Sequence, residues 1–149
     1  MAQSKALLWA LKALGRRSHS VAQLKEKLSR KGFSPEETKA AIDWLIEKKL
    51  LDDSAFAESF AQDKLAIYRH GRRLIYYQLL QLGISRQLAE KTLSGLDPKS
   101  ERQAALDLLE SRLKRWSNLE PMVKKRRALG LLSRRGFPGE LIRSLLKRL

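Results

Sequence analysis

The side chains that could do chemistry in this sequence are mainly cationic. Of 149 residues, 31 are Lys or Arg and 16 are Asp or Glu, which gives a net charge of +15. There is no Cys, so disulfides, thiol catalysis and cysteine-ligated metal centres are excluded. His19 and His70 are the only imidazoles, too few for a His-rich metal site. We therefore predict no metal and no cofactor, and a polyanionic partner, with nucleic acid favoured over an anionic membrane.

No arrangement typical of a catalytic site is present in the sequence. A glycine-rich phosphate loop of the Walker type is absent. The pair Asp52-Asp53 directly precedes a predicted helix, where capping is the ordinary role of an acidic residue. His19 and His70 have no partner at a catalytic spacing, and we expect a surface or helix-start role for each. We predict that the protein is not an enzyme.

The basic residues are concentrated in the two outer thirds of the chain. Residues 1–51 and 98–149 carry net charges of +6 and +9, whereas residues 52–97 are neutral overall. In the neutral part, Gly71 would let backbone amides approach a phosphate closely. We predict that DNA or a protein partner is bound by Arg16, Arg17, Lys25, Arg30, Lys31, Arg69, Arg72, Arg73, Lys124, Lys125, Arg126, Arg127, Arg134 and Arg135.

The aromatic residues divide into two groups. Trp9, Trp44 and Trp116 are interpreted as core anchors. Tyr76 and Tyr77 lie on a predicted helix that already has a wide apolar face, so one tyrosine packs while the other is free to stack on a base or meet a partner.

A repeat organises the chain around Gly32, Gly83 and Gly136, which are 51 and 53 residues apart. Large apolar residues occupy the positions 4 before, 1 after, 10 after and 13 after each glycine: Leu28, Leu79, Leu132, Phe33, Ile84, Phe137, Ile42, Leu93, Leu146, Leu45, Leu96 and Leu149. A glycine followed by an apolar residue is typical of a helix that ends in a left-handed residue. Each copy therefore contains a helix–turn–helix pair.

Each copy also has room for one helix upstream, at about 5–14, 53–67 and 98–116. Helix starts are predicted by Ser20 with Gln23, by Ser34 with Glu37, and by Asp97 before a proline. No segment shows the alternation of a β-strand. The predicted fold is all-α, with nine helices in three tandem three-helix repeats, at 1–51, 52–97 and 98–149, in a curved, elongated array.

The apolar stretch 6–11 near the N-terminus is bracketed by Lys5 and Lys12. It is far too short to span a bilayer, and no small-residue cleavage site follows it. We interpret it as a core helix of a cytoplasmic protein.

The order and spacing of several short segments resemble one bacterial family. These segments are His19-Ser20, Gln23-Leu24, Lys27-Leu28, Lys31-Gly32, Leu51-Asp52-Asp53, Phe56-Ala57, Gly71, Ile75, Leu79, Gly83-Ile84, Ala89-Glu90, Leu132 and Arg134-Arg135-Gly136-Phe137. From about Leu11 to Leu149 the chain resembles RecX, the regulatory protein of the RecA recombinase.

This resemblance implies an all-helical protein of three three-helix repeats that is not an enzyme. It implies binding to the RecA filament on single-stranded DNA, with inhibition of ATP hydrolysis and strand exchange. Single-stranded and double-stranded DNA are implied as direct partners, and a cytoplasmic role in DNA recombination, DNA repair and the SOS response. We expect a monomer that does not bind a membrane.

The sequence departs from the family pattern at three positions where a basic residue is common. Leu74 lies three positions after Gly71, and Leu82 lies directly before Gly83. The third position, Ala55, lies near the start of the middle repeat. The middle repeat is therefore less basic than the family pattern implies, although Arg72 and Arg73 can substitute for the missing basic residues.

Two other functions remain open from the residues alone. Three-helix units with glycine turns also describe helix-turn-helix proteins that read one duplex DNA site. The third helices of the repeats carry apolar stripes with Lys and Glu, which disfavours that alternative. A protein-interaction scaffold that never contacts nucleic acid is the other alternative.

Overall fold

The computed structural model describes residues 4–149; residues 1–3 of the predicted first repeat lie outside the described residues. Within residues 4–149 the chain forms nine α-helices and no strand. The helices are α1 (Lys5–Arg16), α2 (Val21–Arg30), α3 (Pro35–Glu47), α4 (Asp53–Ala66), α5 (Arg72–Gln81), α6 (Arg86–Ser94), α7 (Pro98–Arg115), α8 (Pro121–Arg134) and α9 (Gly139–Leu146). The all-helical class and the three successive three-helix repeats are confirmed.

The turn between the second and third helices has the same structure in all three repeats. The backbone angle φ is +100° at Gly32, +82° at Gly83 and +87° at Gly136. Each glycine amide donates a hydrogen bond to the carbonyl three residues earlier, and the next amide donates to the carbonyl of the leucine five residues earlier, over 3.0 to 3.2 Å. This pair of bonds is a Schellman turn, which requires a left-handed residue. The turn predicted from the sequence is confirmed.

The repeated apolar positions form the interior of the repeats. The leucine four residues before each glycine, at Leu28, Leu79 and Leu132, is completely buried. Most of the other repeated positions are also buried, whereas Phe33, Leu146 and Leu149 are half-buried. In the first repeat, a core of leucines, alanines and one isoleucine is contributed by α1, α2, α3 and Leu51.

Side-chain caps fix where the helices begin. Ser20 and Gln23 form a complete capping box at α2, and Ser34 and Glu37 form another at α3. Asp97 accepts a hydrogen bond from the amide of Lys99 at the start of α7. Each of these helix starts is confirmed.

The pair Asp52-Asp53 caps two different helices. The Oδ1 atom of Asp52 accepts hydrogen bonds from the amides of Ser54 and Ala55, at 2.9 and 3.3 Å, and so caps α4. The Oδ1 atom of Asp53 accepts a bond of 2.8 Å from the amide of Val21, the first residue of α2. The predicted capping role is confirmed, and Asp53 extends it to a helix of the preceding repeat.

The backbone contacts divide the chain into two compact units. The first unit consists of Met1–Glu58, with residues 4–58 described, and Leu79–Ala89; the second consists of Ser59–Gln78 and Glu90–Leu149. The three helices of the middle repeat, α4, α5 and α6, each contribute residues to both units. The predicted repeat boundaries stay a prediction.

Candidate nucleic-acid interface

A first basic groove lies in the first compact unit, on α1, α2 and the segment that connects them. Its volume is about 560 Å³, and Trp9 and Ala13 supply its apolar surface. We call it the Trp9 groove. Its remaining lining residues are Lys12, Arg16, Arg17, His19, Lys27, Arg30 and Lys31. Because α1 and α2 are consecutive, the cations that the sequence places at 16–17 and 30–31 line the same groove.

His19 is buried in the wall of the Trp9 groove, with 3% of its surface exposed. Its Nδ1 lies 2.9 Å from the carbonyl oxygen of Arg17, so Nδ1 carries the proton that is donated. Nε2 is then the acceptor for the Lys27 ammonium at 2.8 Å. Burial lowers the pKa of His19 from its usual 6.5, against the opposing effect of the Arg17 carbonyl bond. The surface alternative for His19 is therefore wrong, because the side chain is buried. The helix-start alternative agrees with its position directly before Ser20, the N-cap of α2.

Lys27 was not among the predicted binding residues, although it lines the Trp9 groove. Desolvation is the main cause that lowers the pKa of Lys27, and the nearby positive charges of Arg17 and Arg16 lower it further. Three cations so close together repel one another, and an anion in the groove would relieve that repulsion.

A second basic groove lies in the second compact unit, around the turn that connects α4 to α5. Its volume is about 570 Å³. We call it the Tyr68 groove. It is lined by Ile67, Tyr68, Arg69, His70, Leu108, Ser111, Arg112, Arg115 and Arg135. Arg69 and Arg135 were predicted, whereas Arg112 and Arg115 in the last turn of α7 were not.

The turn of the Tyr68 groove is held by the Gly136 turn. The amide of Gly71 donates to the carbonyl of Arg135 at 2.7 Å, and the amide of Arg73 donates to the carbonyl of Gly136 at 3.0 Å. A Cβ atom at residue 71 would lie 2.5 Å from the backbone of Gly136. The prediction that Gly71 frees amides for a phosphate is wrong, because these amides are used within the protein.

Arg72 forms the most buried ion pair of the described chain. Both oxygens of Glu101 accept from it: Oε2 from the backbone amide and Oε1 from Nε, each at 2.8 Å. The side chain of Glu101 is 5% exposed and that of Arg72 is 29% exposed. Glu101, which lies on α7, thus caps the start of α5. The Arg72 guanidinium is paired with this carboxylate, so its charge is partly neutralised within the protein.

A third groove, also in the second unit, lies between α7 and α8. Its volume is about 430 Å³, and we call it the Trp116 groove. It is lined by Arg112, Trp116, Arg126, Arg127, Gly130, Leu131 and Arg134. The Arg127 guanidinium carbon lies 6.0 Å from the centre of the Trp116 ring. Arg112 lines both this groove and the Tyr68 groove, so the two adjoin.

The remaining predicted binding residues lie outside the lining of these grooves. Lys25 and Arg73 are exposed, and Lys124 and Lys125 are half-buried on α8. A sequence signal for the missed residues did exist, since Arg112 and Arg115 stand with Lys114 in one run. Such a run does not by itself indicate a binding site, because basic residues at a helix C-terminus are ordinary partners of the helix dipole.

The three tryptophans are more exposed than the sequence predicted, whereas the two tyrosines divide into a packed and an exposed residue as expected. Trp9, Trp44 and Trp116 are half-buried, and Trp9 and Trp44 pack against the core of the first repeat from its edge. Tyr76 is half-buried, whereas Tyr77 is 61% exposed. Trp9 therefore combines a packing contact against the core with a place in a basic groove, and Trp116 lines another groove.

Neither a metal centre nor a membrane span is found in the described part of the chain. Among residues 4–149, no three His, Asp or Glu side chains are grouped so that they could hold a metal ion. No helix in that range is long and apolar enough to cross a bilayer.

These features define an all-helical protein of three tandem three-helix domains with basic grooves that contain an aromatic ring. Three family models match the chain in order: RecX, first three-helix domain, at residues 6–45; RecX, second three-helix domain, at 52–93; and RecX, third three-helix domain, at 100–146. The chain belongs to the RecX family.

Individual relatives agree with this assignment. Regulatory protein RecX of Clostridium botulinum strain Alaska E43 is 31% identical over 140 residues, which is 93% of this chain and 65% of that protein. Regulatory protein RecX of Mycobacterium leprae strain Br4923 is 31% identical over 136 residues, which is 91% of this chain and 80% of that protein. The chain thus spans less than two thirds of the length of the clostridial relative.

The fold is also that of a solved RecX. The crystal structure of RecX from Lactobacillus salivarius superposes with a TM-score of 0.87 at 23% identity. The match covers 97% of this chain and 94% of that chain.

Proposed function

We propose that the chain binds a RecA filament on single-stranded DNA and lowers both its ATP hydrolysis and its strand exchange. Membership of the RecX family and the name regulatory protein RecX, carried by its relatives, support this proposal. We place the activity in the cytoplasm, in recombinational DNA repair and the SOS response, and assign it to a monomer that acts by binding, without catalysis or a cofactor.

The observation that carries the proposal is the composition of the three grooves. Each of them combines several cations with one tryptophan or tyrosine ring, and among the described residues that line them none is Asp or Glu. Cations bind phosphates and release counterions, while aromatic rings stack on bases. This combination fits a nucleic-acid strand better than it fits an acidic protein surface, which needs no ring.

The direct test is a titration of the chain into RecA that hydrolyses ATP on single-stranded DNA. We expect the rate of ATP hydrolysis to fall at ratios well below one chain per RecA. No inhibition at any ratio would contradict the proposed function. A strong preference for one duplex sequence would instead support the helix-turn-helix alternative.

The role of the grooves is tested by pairs of variants with equal charge. Arg16→Ala with Arg17→Ala removes two cations from the Trp9 groove, whereas Lys147→Ala with Arg148→Ala removes two exposed cations outside all three grooves. We expect the first pair to lower the slope of log affinity for single-stranded DNA against log salt by about 2. The control pair should change the slope much less. Equal changes would show that only total charge matters.

A further inference from the structure

The turn between α4 and α5 presents two adjacent large apolar side chains to solvent. Ile67 is 67% exposed and Tyr68 is 54% exposed. Both line the Tyr68 groove, where the other side chains at the rim are mainly arginines. Exposed apolar residues cost free energy in water, so an adjacent pair of them in a cationic groove indicates a contact surface.

Two neighbouring side chains contact the Tyr68 ring. The Lys64 ammonium lies 4.3 Å from the centre of the Tyr68 ring and 5.3 Å from the centre of the Phe60 ring. Phe60, Lys64 and Tyr68 are spaced four residues apart, so they follow one face of α4 as it ends. The His70 ring lies 6.1 Å away at 49°. The ring is thus contacted by Lys64 and His70 while about half of the residue stays open.

The backbone of this turn is strained and strongly constrained. Arg69 has φ of +55°, a left-handed conformation that costs a residue with a Cβ about 1 kcal/mol. The amide of His70 donates to the carbonyl of Lys64 at 2.9 Å, and Nη1 of Arg135 donates to the carbonyl of Tyr68 at 3.0 Å. The left-handed Arg69 reverses the chain immediately after Tyr68, and these bonds hold the backbone on both sides of the turn.

Arginines surround the exposed pair on the groove surface. Arg69 belongs to the turn itself, Arg112 and Arg115 come from the last turn of α7, and Arg135 comes from the end of α8. Among the described residues that line this groove there is no carboxylate. A flat apolar surface with guanidinium groups around it matches a base that is flanked by phosphates.

We propose that Ile67 and Tyr68 form a stacking platform for one unpaired base of single-stranded DNA, with the surrounding arginines bound to its neighbouring phosphates. This inference rests on the proposed function and names the part of the chain that distinguishes single strands from duplex. In a duplex the flat faces of the bases are covered by their neighbours, so the platform has nothing to stack on.

The test compares ring-retaining and ring-removing variants by their affinity for a short oligothymidylate and for a duplex of the same length. Tyr68→Phe retains the ring, Tyr68→Leu retains apolar surface without the ring, and Tyr68→Ala removes both. Met122→Ala is the control, because Met122 is 74% exposed and lines none of the three grooves. Circular dichroism confirms that each variant is folded.

We expect Tyr68→Ala to bind oligothymidylate about tenfold more weakly and to bind the duplex with unchanged affinity. Tyr68→Leu should be weakened nearly as much, whereas Tyr68→Phe and Met122→Ala should match the unaltered chain. Photocrosslinking with an oligonucleotide that contains 5-iodouracil should attach the base to Tyr68. Unchanged affinity in Tyr68→Ala, equal losses for single strand and duplex, or full affinity in Tyr68→Leu would each overturn the platform.

Failure of the platform is distinguishable from failure of the proposed function. Arg112→Ala with Arg115→Ala removes charge from the same groove and leaves Tyr68 in place. If this pair weakens binding while Tyr68→Ala does not, the groove binds phosphates without stacking and the proposed function stands. If the unaltered chain inhibits ATP hydrolysis by RecA but does not bind single-stranded DNA, the platform fails and the proposed function stands. If it does not inhibit RecA at any ratio, the proposed function fails.

Discussion

Two junctions between successive repeats are built on the same plan, one in each compact unit. In the first unit, the Gly83 turn packs against the start of α2, since a Cβ atom at residue 83 would lie 2.2 Å from that of Ala22. In the second unit, the Gly136 turn packs in the same way against the start of α5, at Gly71 and Leu74. We call these the first and second junctions. A turn in one repeat thus contacts the second helix of the preceding repeat.

An acidic residue completes each junction from the first helix of the later repeat. Asp53 on α4 accepts from the amide of Val21 at the start of α2, and Glu101 on α7 accepts from the amide of Arg72 at the start of α5. In both cases a carboxylate lies at a helix N-terminus, where it is favoured.

The junctions differ in how strongly they are bonded. The first junction uses the Ser20 hydroxyl, which donates to the carbonyl of Leu82 at 2.5 Å. The second uses two backbone hydrogen bonds and the ion pair between Arg72 and Glu101. The second junction also helps to position a basic groove, because its Arg135 lines the Tyr68 groove and donates a hydrogen bond to the carbonyl of Tyr68.

The largest effect should come from Gly136→Ala, which breaks the second junction. The new Cβ atom would lie 2.3 Å from the amide nitrogen of Leu74, and φ of +87° is unfavourable for alanine. Together the clash and the strain should lower the free energy of unfolding by about 3 kcal/mol. Denaturation with urea measures this loss.

Gly32→Ala is the matched control for that variant. Gly32 ends its helix with φ of +100°, but no atom outside its neighbours lies within 4 Å of a Cβ placed there. Only the strain remains, so a loss of about 1 kcal/mol is expected. Equal losses in the two variants would show that the contact with Leu74 adds nothing to the junction.

The sequence predicted the local part of this architecture. Gly32, Gly83 and Gly136 identified the turns, and Ser20, Ser34 and Asp97 identified helix starts, because each signal depends on residues close in the chain. The position of the Trp9 groove could also be predicted from the sequence, because the two helices that line it, α1 and α2, are consecutive.

The contacts between repeats could not be predicted, because periodicity does not show which helix end meets which turn. Arg72 was expected to bind DNA, and its pairing with Glu101 depends on two residues that are 29 apart. Arg112 and Arg115 reach the Tyr68 groove only once α7 packs beside the turn at 67–70. Gly71 was interpreted as a phosphate site although its amide contacts Arg135. These are the residues on which the sequence interpretation was incomplete or wrong.

A smaller effect is expected from the carboxylates that complete the junctions. Glu101→Gln leaves the partly buried Arg72 without a charged partner, and we expect it to lower the free energy of unfolding by about 2 kcal/mol. Asp53→Asn should cost only about 1 kcal/mol, because Asp53 is half-buried and forms one hydrogen bond to the first junction.

Glu110→Gln serves as the control for these two variants, because Glu110 is an exposed carboxylate on the same helix as Glu101. Its unfolding midpoint in urea should not move. A greater loss in Asp53→Asn than in Glu101→Gln would reverse the proposed order of the two junctions.

The smallest effect concerns two histidines at equivalent places in the repeats. His19 and His70 are 51 residues apart, like the glycines, and each bonds the side chain eight residues later, Lys27 or Gln78. Burial is the main cause that lowers the pKa of each from the usual 6.5. The unfolded chain therefore binds more protons than the folded chain below that pH, and acid favours unfolding.

Stability should be complete above pH 6.5 and fall as the pH drops from there towards the lowered pKa values of the folded state. His19 should account for more of the loss than His70, because His19 is 3% exposed whereas His70 is half-buried. Nearby cations lower the pKa of both rings further, Arg17 and Lys27 at His19 and Lys64 and Arg135 at His70. Urea denaturation of His19→Gln and His70→Gln at neutral and mildly acidic pH separates the two contributions. If His70→Gln removed more of the acid sensitivity than His19→Gln, burial would not govern the difference between these equivalent sites.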